Sequence, residues 1–394
     1  MELEVWLLVV AIVVALVAIG LALVVLGQQR ALRTVEDSRE QAAEEPSPPA
    51  GPLLAFVANP SKNGTEELRP AIFARCAAEN LPEPLWIETT VEDPGVGQTR
   101  EALAAGADVV VAVGGDGTVR AVAEAMVGTG RPMGLLPLGT GNLLARNLDI
   151  SVTDREDAFE VALNGVDRAI DVGWLRVDRP APEKVPTPKG RHRTPASEPE
   201  EEQDDSQAPA DTAKHIFLVI AGLGFDAAMV ADTDATLKSR VGWMAYFVAG
   251  VRHLHGRRLE MVITLDDRPP VTARLRTLMV GNCGRLPGGI TLIPDAVIDD
   301  GIHDIAAIDT RGGIMGWAQL FGEVVMQGFG MKNDLPNKIG RIDHTRAKTV
   351  QLHVSEGEQV QVDGDVLGRA IDVSTWVDPG ALIVRAPVPR LNAK

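Results

Sequence analysis

The sequence predicts a doubly wound parallel α/β domain followed by an antiparallel β-sandwich, with one transmembrane helix ahead of both. Three observations carry this. Between Leu53 and Leu136, short apolar runs alternate with segments of helical period, and the runs end in glycine or small polar residues. Beyond Arg168, the pattern changes to many strands of period two between Gly or Asp turns. Near the start, Val5 to Leu26 holds 22 residues without a charge, about the length that spans a bilayer.

That leader begins Met-Glu-Leu-Glu, runs long, and lacks the basic start and small-x-small cleavage site of a signal peptide. Arg30 and Arg33 follow it, while Glu2 and Glu4 precede it. The positive-inside rule then places the rest of the chain in the cytoplasm, on a single-pass anchor in the cell membrane. Residues 1–27 are read as the anchor and 28–51 as a polar, then Pro-rich, tether. The net charge of −16 argues against nucleic acid as a partner. Cys76 and Cys283 have neither metal spacing nor a disulfide framework, which points to a reducing compartment.

Within the first domain, taken as residues 52–166, Leu53–Ala58 is an apolar strand ending in Asn59-Pro60-Ser61-Lys62-Asn63-Gly64-Thr65. Leu85–Thr89 is a short strand ending in Thr89-Thr90, and Gln98–Ala105 reads as a helix. Asp108–Val113 is a β-branched run that reads as a buried central strand. It ends in Gly114-Gly115-Asp116-Gly117-Thr118, and Val119, Val122, Ala123 and Met126 then recur at helical spacing. Strand, glycine turn, helix N-terminus reads as an anion site, since glycine admits close approach and free N–H groups point outward; the alternative is a tight turn with a surface Asp. Phosphate is the natural guest. The turn is neither a Walker loop nor G-x-G-x-x-G. Met133–Leu136 is a fourth strand, ending in Pro137-Leu138-Gly139-Thr140-Gly141-Asn142. Three such loops share the carboxyl edge of one parallel sheet, where these sheets bind ligands.

Asn59-Pro60-Ser61, Gly114 to Thr118 and Pro137 to Asn142 resemble the catalytic domain of the diacylglycerol kinase, sphingosine kinase and ceramide kinase family, above all its soluble bacterial lipid kinases. The resemblance implies a nucleotide-binding domain and ATP contact at Asn59, Pro60, Ser61, Lys62 and Asn63, at Thr89 or Thr90, at Gly114, Gly115, Asp116, Gly117, Thr118, Val119 and Arg120, and at Thr140. Arg120 departs from the family, which usually has Asn there.

Residues 167–394 form the second, β-rich domain, for which the resemblance implies lipid binding. Asp154–Leu163 fits a helix leading into it. Strands are expected at Ala169–Val177, His215–Ile220, Leu259–Leu265, Val271–Val280, Ile302–Ile308 and Val350–Val354, with Leu382–Val384 returning to the first domain. Residues 178–214, basic and then acidic, cannot bury enough apolar surface to order and are read as a solvated insert or a partner-binding segment. Ala221-Gly-Leu-Gly-Phe-Asp-Ala227 also resembles the family. Helices are expected at Leu237–Leu254 and Gly312–Gly328. The basic end of the first, from Arg252 to Arg258, reads as a solvated helix end or a contact to anionic lipid head groups.

Two acidic turns remain. Pro294-Asp-Ala-Val-Ile-Asp-Asp-Gly301 suits a β-turn by itself. The resemblance implies a structural Mg²⁺ there, held by Asp300 and by the carbonyls of Val297 and Ile302. Gln361-Val-Asp-Gly-Asp365 also suits a hairpin turn. By resemblance to the family's Asp-Gly-Glu, Asp363 is the general base and Asp365 a nucleotide or metal contact, one methylene short of the family's Glu. Asp116 competes for the role of base. The expectation is a membrane-anchored kinase using ATP and Mg²⁺ on a diacylglycerol-like lipid, with a homodimer left open. An NAD kinase shares the glycine turn but wants an Asn-Glu pair that this chain lacks. A tethered nucleotide-binding module is the non-enzymatic alternative.

Overall fold

The computed structural model describes residues 26, 51–182, 213–224, 258–285, 293, 295–310 and 340–388. Apart from Leu26 and Gly51, the expected anchor and tether lie outside them. So do most of the charged insert and the helices expected at 237–254 and 312–328. Among the described residues, no helix is long and apolar enough to cross a membrane.

Strands β1 (Leu54–Ala58), β2 (Leu85–Glu88), β3 (Val109–Gly114) and β4 (Pro132–Pro137) are parallel and lie in the order β2-β1-β3-β4. Every residue of β1 and β3 is buried, as continuous apolar runs require when helices cover both faces. The helices are α1 (Thr65–Ala78), α2 (Val96–Ala104), α3 (Asp116–Met126), α4 (Leu143–Asn147) and α5 (Arg155–Asn164). The face of α3 that carries Val119, Val122, Ala123 and Met126 is buried. Asp154 caps α5, its carboxylate accepting the N–H groups of Glu156 and Asp157.

The second half contributes β5 (Val166–Pro180), β6 (Lys214–Phe217), β7 (Ile220–Leu223), β8 (Leu259–Leu265), β9 (Val271–Leu275), β10 (Thr277–Gly281), β11 (His303–Thr310), β12 (Gly340–Ala347), β13 (Thr349–Val362) and β14 (Asp365–Ala386). The run expected as one strand at Val271–Val280 breaks at Arg276. Its first part pairs with β8 and its second with β7 and β11, so the chain changes partners. The strand before the insert extends past the expected boundary. Asp178 and Arg179 are within β5, and Asp178 accepts from Arg176 and Ser374 while the strand pairs with β14.

The last strand is the organising one. Over 22 residues β14 pairs antiparallel with β13 and β5. Its Ile383 and Val384 then lie parallel to Pro132 and Met133 of β4. One sheet therefore runs through both halves, in the order β12-β11-β10-β7-β13-β14-β4-β3-β1-β2 among the described residues. The core around β1, β3 and β4 includes Ile170, Trp174, Leu218 and Met279 from beyond residue 166. A second core gathers Phe217, Leu223, Met261, Val350 and Val373.

His303 sits where these layers meet, fully buried and stacked on Phe217 with ring centroids 5.3 Å apart. Burial lowers its pKa from 6.5 to about 4, against the opposing pull of the Trp376 main chain and the Asp171 carboxylate. A depressed folded pKa means that the unfolded chain takes the proton first. The stability held above pH 6.5 is lost as pH falls toward 4, to a total of roughly 3 kcal/mol. His303→Leu is expected to flatten the fall of Tm across this window, measured by thermal unfolding at a series of pH values.

Candidate active site

The carboxyl ends of β1, β2, β3 and β4 are level, because the ladder continues one residue beyond each strand. Asn59 N–H donates to Val113, Thr89 N–H to Ala58, and Leu138 N–H to Gly114, at 2.9, 2.9 and 2.8 Å. The three loops expected to gather on this rim do so. The glycine loops after β3 and β4 touch backbone to backbone. A Cβ on Gly139 would lie 2.7 Å from Gly115 Cα, and one on Gly115 would lie 3.3 Å from Gly139 Cα. Gly115 is the N-cap of α3. The Lys62 ammonium lies 3.8 Å from where a Gly115 Cβ would stand, so the first loop puts a cation over the helix N-terminus. Asn59 Nδ2 donates to Thr118 Oγ1 at 3.3 Å and ties that loop to α3. Ser61 turns inward to Asn59 Oδ1 at 2.6 Å. Pro60, Asn63 and Thr140 are exposed on the rim; Thr89, Thr118 and Val119 are buried behind it.

The side chain of Asp116 faces the neighbouring loop. It accepts the N–H groups of Asn142 and Leu143 at 2.9 and 2.6 Å. Asn142, in the left-handed conformation, closes its own loop through Gly139 N–H at 2.9 Å and Gly139 C=O at 2.8 Å. Burial raises the Asp116 pKa, these N–H groups pull it down, and the charge of Asp365 adds to the rise.

Asp363 and Gly364 form the tight turn between β13 and β14, both with positive φ, at 47° and 91°. Those angles favour Asp-Gly in a two-residue hairpin. The Asp363 carboxylate is turned inward and 9% exposed. It accepts three main-chain N–H groups, from Leu218 at 2.8 Å and from Val219 and Ile220 at 2.9 Å each. A carboxylate offers about four lone-pair sites, so roughly one remains. Burial raises its pKa, against these hydrogen bonds and the Arg120 charge.

Arg120 reaches across from α3 to this turn. Its guanidinium donates to Val362 C=O at 2.7 Å and to the Asp365 carboxylate. The resemblance implies nucleotide contact for Arg120 and nucleotide or metal contact for Asp365. In the structure the two residues that depart from the family's pattern hold each other, one in each half of the chain.

Asp300 and the carbonyls of Val297 and Ile302 are the groups that would hold the expected Mg²⁺. Asp300 Oδ2 lies 3.2 Å from an Arg346 nitrogen, and Oδ1 accepts Ile302 N–H at 3.3 Å. Mg²⁺ demands an octahedron of oxygens at about 2.0–2.1 Å. The Arg346 guanidinium already neutralises the Asp300 carboxylate, so a dication there would sit against like charge, and the arrangement fits the ion poorly.

Two residues outside the expected site complete the junction. Asp171 is 2% exposed and accepts Gly301 N–H at 2.6 Å and Gly380 N–H at 2.8 Å. Asn282 donates to the Asp171 carbonyl at 2.7 Å. The signal for Asp171 was in the sequence: a charge amid Ala169, Ile170, Val172 and Trp174 must find donors to be buried.

Residues 54–175 match the family model "Diacylglycerol kinase catalytic domain", and residues 219–386 match "YegS C-terminal NAD kinase beta sandwich-like domain". A protein of Pseudomonas aeruginosa (strain UCBPP-PA14) named "Probable lipid kinase YegS-like" is 30% identical over 85% of this chain and 94% of its own length. A "Diacylglycerol kinase" of Mycobacterium tuberculosis is 28% identical over 67% of this chain and 72% of its own. The crystal structure of a diacylglycerol kinase from Bacillus anthracis superposes with a TM-score of 0.59 at 19% identity, covering 85% of this chain and 96% of that one; it shows the same fold. The chain belongs to the diacylglycerol kinase family of ATP-dependent lipid kinases.

Proposed function

We propose that this chain is a membrane-anchored kinase that transfers the γ-phosphate of ATP to the hydroxyl of a diacylglycerol-like lipid. The observation that carries the reading is the rim itself: two glycine loops in backbone contact, Lys62 above them, and the Asp363 turn joined to α3 by Arg120. The loops leave no room for side chains, so a triphosphate can approach main-chain N–H groups closely. Lys62 supplies positive charge beside the phosphates. Mg²⁺ on the nucleotide supplies further charge neutralisation when bound. Asp363 keeps its carboxylate at a fixed place, and its remaining lone pair can accept the lipid hydroxyl's proton as phosphorus–oxygen bonding begins. Asp116 holds the second glycine loop against the first. The uncharged run Val5–Leu26 would keep the protein beside its substrate.

The test is purified full-length protein with labelled ATP, Mg²⁺ and vesicles of mixed membrane lipids. Label moving into the organic phase is expected, strongest with diacylglycerol. ATP binding without transfer to any lipid class would leave the tethered nucleotide-binding module instead. Pelleting with membranes after an alkaline wash checks the anchor.

A second expectation concerns Arg120. If it clasps the turn, Arg120→Ala and Asp365→Ala should each lower kcat by roughly ten- to a hundredfold through misplacement of Asp363. The ATP Kd should change little, and the double variant should be no worse than the poorer single one. A rise in ATP Kd with unchanged kcat would return Arg120 to the phosphates.

A further inference from the structure

The acidic turn from Asp295 to Asp304 gathers four carboxylates in ten residues. Such a turn needs positive charge to hold its shape. In this chain the charge comes from the protein itself. Arg346 projects from β12, which pairs with β11 so that Arg346 stands opposite Asp304. Its Nε donates to Asp304 Oδ1 at 2.8 Å, and one terminal nitrogen donates to the Asp295 carbonyl at 2.9 Å. The same nitrogen is 3.2 Å from Asp300 Oδ2. One planar group thus meets a carbonyl at the start of the turn, a carboxylate within it and a carboxylate at its end. Arg168 pairs with the second acid along the turn, Asp299, at 2.7 Å. Asp171 takes Gly301 N–H from beneath.

We propose that Arg346 is the resident cation of this turn, and that the fold here requires no divalent ion. A guanidinium suits the task because its fork of donors is rigid, always charged and able to reach several oxygens at once. A dication at Asp300 would have to displace it or sit against it, charge to like charge. Asp304 is 8% exposed in its side chain and 5% as a residue, so losing Arg346 would leave a nearly buried carboxylate without its cation.

The test uses nucleotide-free full-length protein, so it does not depend on the kinase reading or on any metal carried by ATP. Thermal unfolding in EDTA and in excess MgCl₂ at matched ionic strength is expected to give Tm values within about 1 °C of each other. Arg346→Met should lower Tm in EDTA by roughly 3 °C or more. In that background Asp300→Asn should raise Tm, because it relieves repulsion, whereas in the parent it should lower Tm. A saturable rise of the parent Tm with Mg²⁺ that Asp300→Asn removes would overturn the proposal. So would Asp300→Asn acting with the same sign in both backgrounds. If Arg346→Met does not fold, the parent's Mg²⁺ response alone decides.

Discussion

Asp363→Asn is expected to abolish turnover, with kcat down by about a thousandfold or more, and to destabilise the protein. The two losses have different origins. As a base, the amide cannot accept the proton of the lipid hydroxyl. As a structural group, it can offer an oxygen to Val219 and Ile220 but would turn an N–H toward the N–H of Leu218, or the reverse. Losing one charge-assisted bond at a buried position costs about 2–3 kcal/mol. Because burial raises the Asp363 pKa, kcat/KM of the parent should climb with pH along an acid limb that lies above the ordinary aspartate range. The linked stability runs the other way: a raised folded pKa gives stability at low pH that is lost as pH rises through it. Rate–pH profiles with residual activity in the variant check both. If Asp116→Asn removes the acid limb and Asp363→Asn keeps it, the base is Asp116.

The second large effect is expected from Gly139→Ala. The added methyl would come within 2.7 Å of Gly115 Cα, and backbone cannot step aside as a side chain can. The two loops must separate, and the N–H groups of the α3 N-terminus, proposed to hold the phosphates, shift with them. ATP Kd should rise by roughly a hundredfold, because several charge-assisted hydrogen bonds are weakened together. Calorimetric titration with ATP measures it. Gly128→Ala is the control: that glycine also lies in the first half, yet an added methyl meets nothing within 4 Å there. Its positive φ of 74° makes a small loss of stability the expected cost, with ATP binding intact.

The contrast between what the sequence discloses and what it hides follows from range. The β1, β3 and β4 strands and their loops were legible because each is a local pattern: an apolar run, then glycine, then helical period. The meeting of the loops was legible too, because parallel strands put their carboxyl ends on one edge. The partners of single side chains were not. Nothing local says that Asp116 spends its carboxylate on Asn142 and Leu143, or that Arg120 finds Val362 and Asp365 some 242 and 245 residues away. The arginine neighbours of the acidic turn were hidden for the same reason. Its own residues are good metal donors, and the arginines that pair with them, Arg168 and Arg346, arrive from other strands. The single strand expected at Val271–Val280 failed because period two persists across Arg276 while the hydrogen-bonding partners change.

The span of β14 has a consequence for how the molecule can be cut. Asp365 to Ala386 edges the turn that holds Asp363, supports β5 along most of its length, and ends beside the first residues of β4. Removing the final dozen residues of that strand would expose the flank of the first half as well as that of the second. The two halves are therefore poor candidates for separate expression.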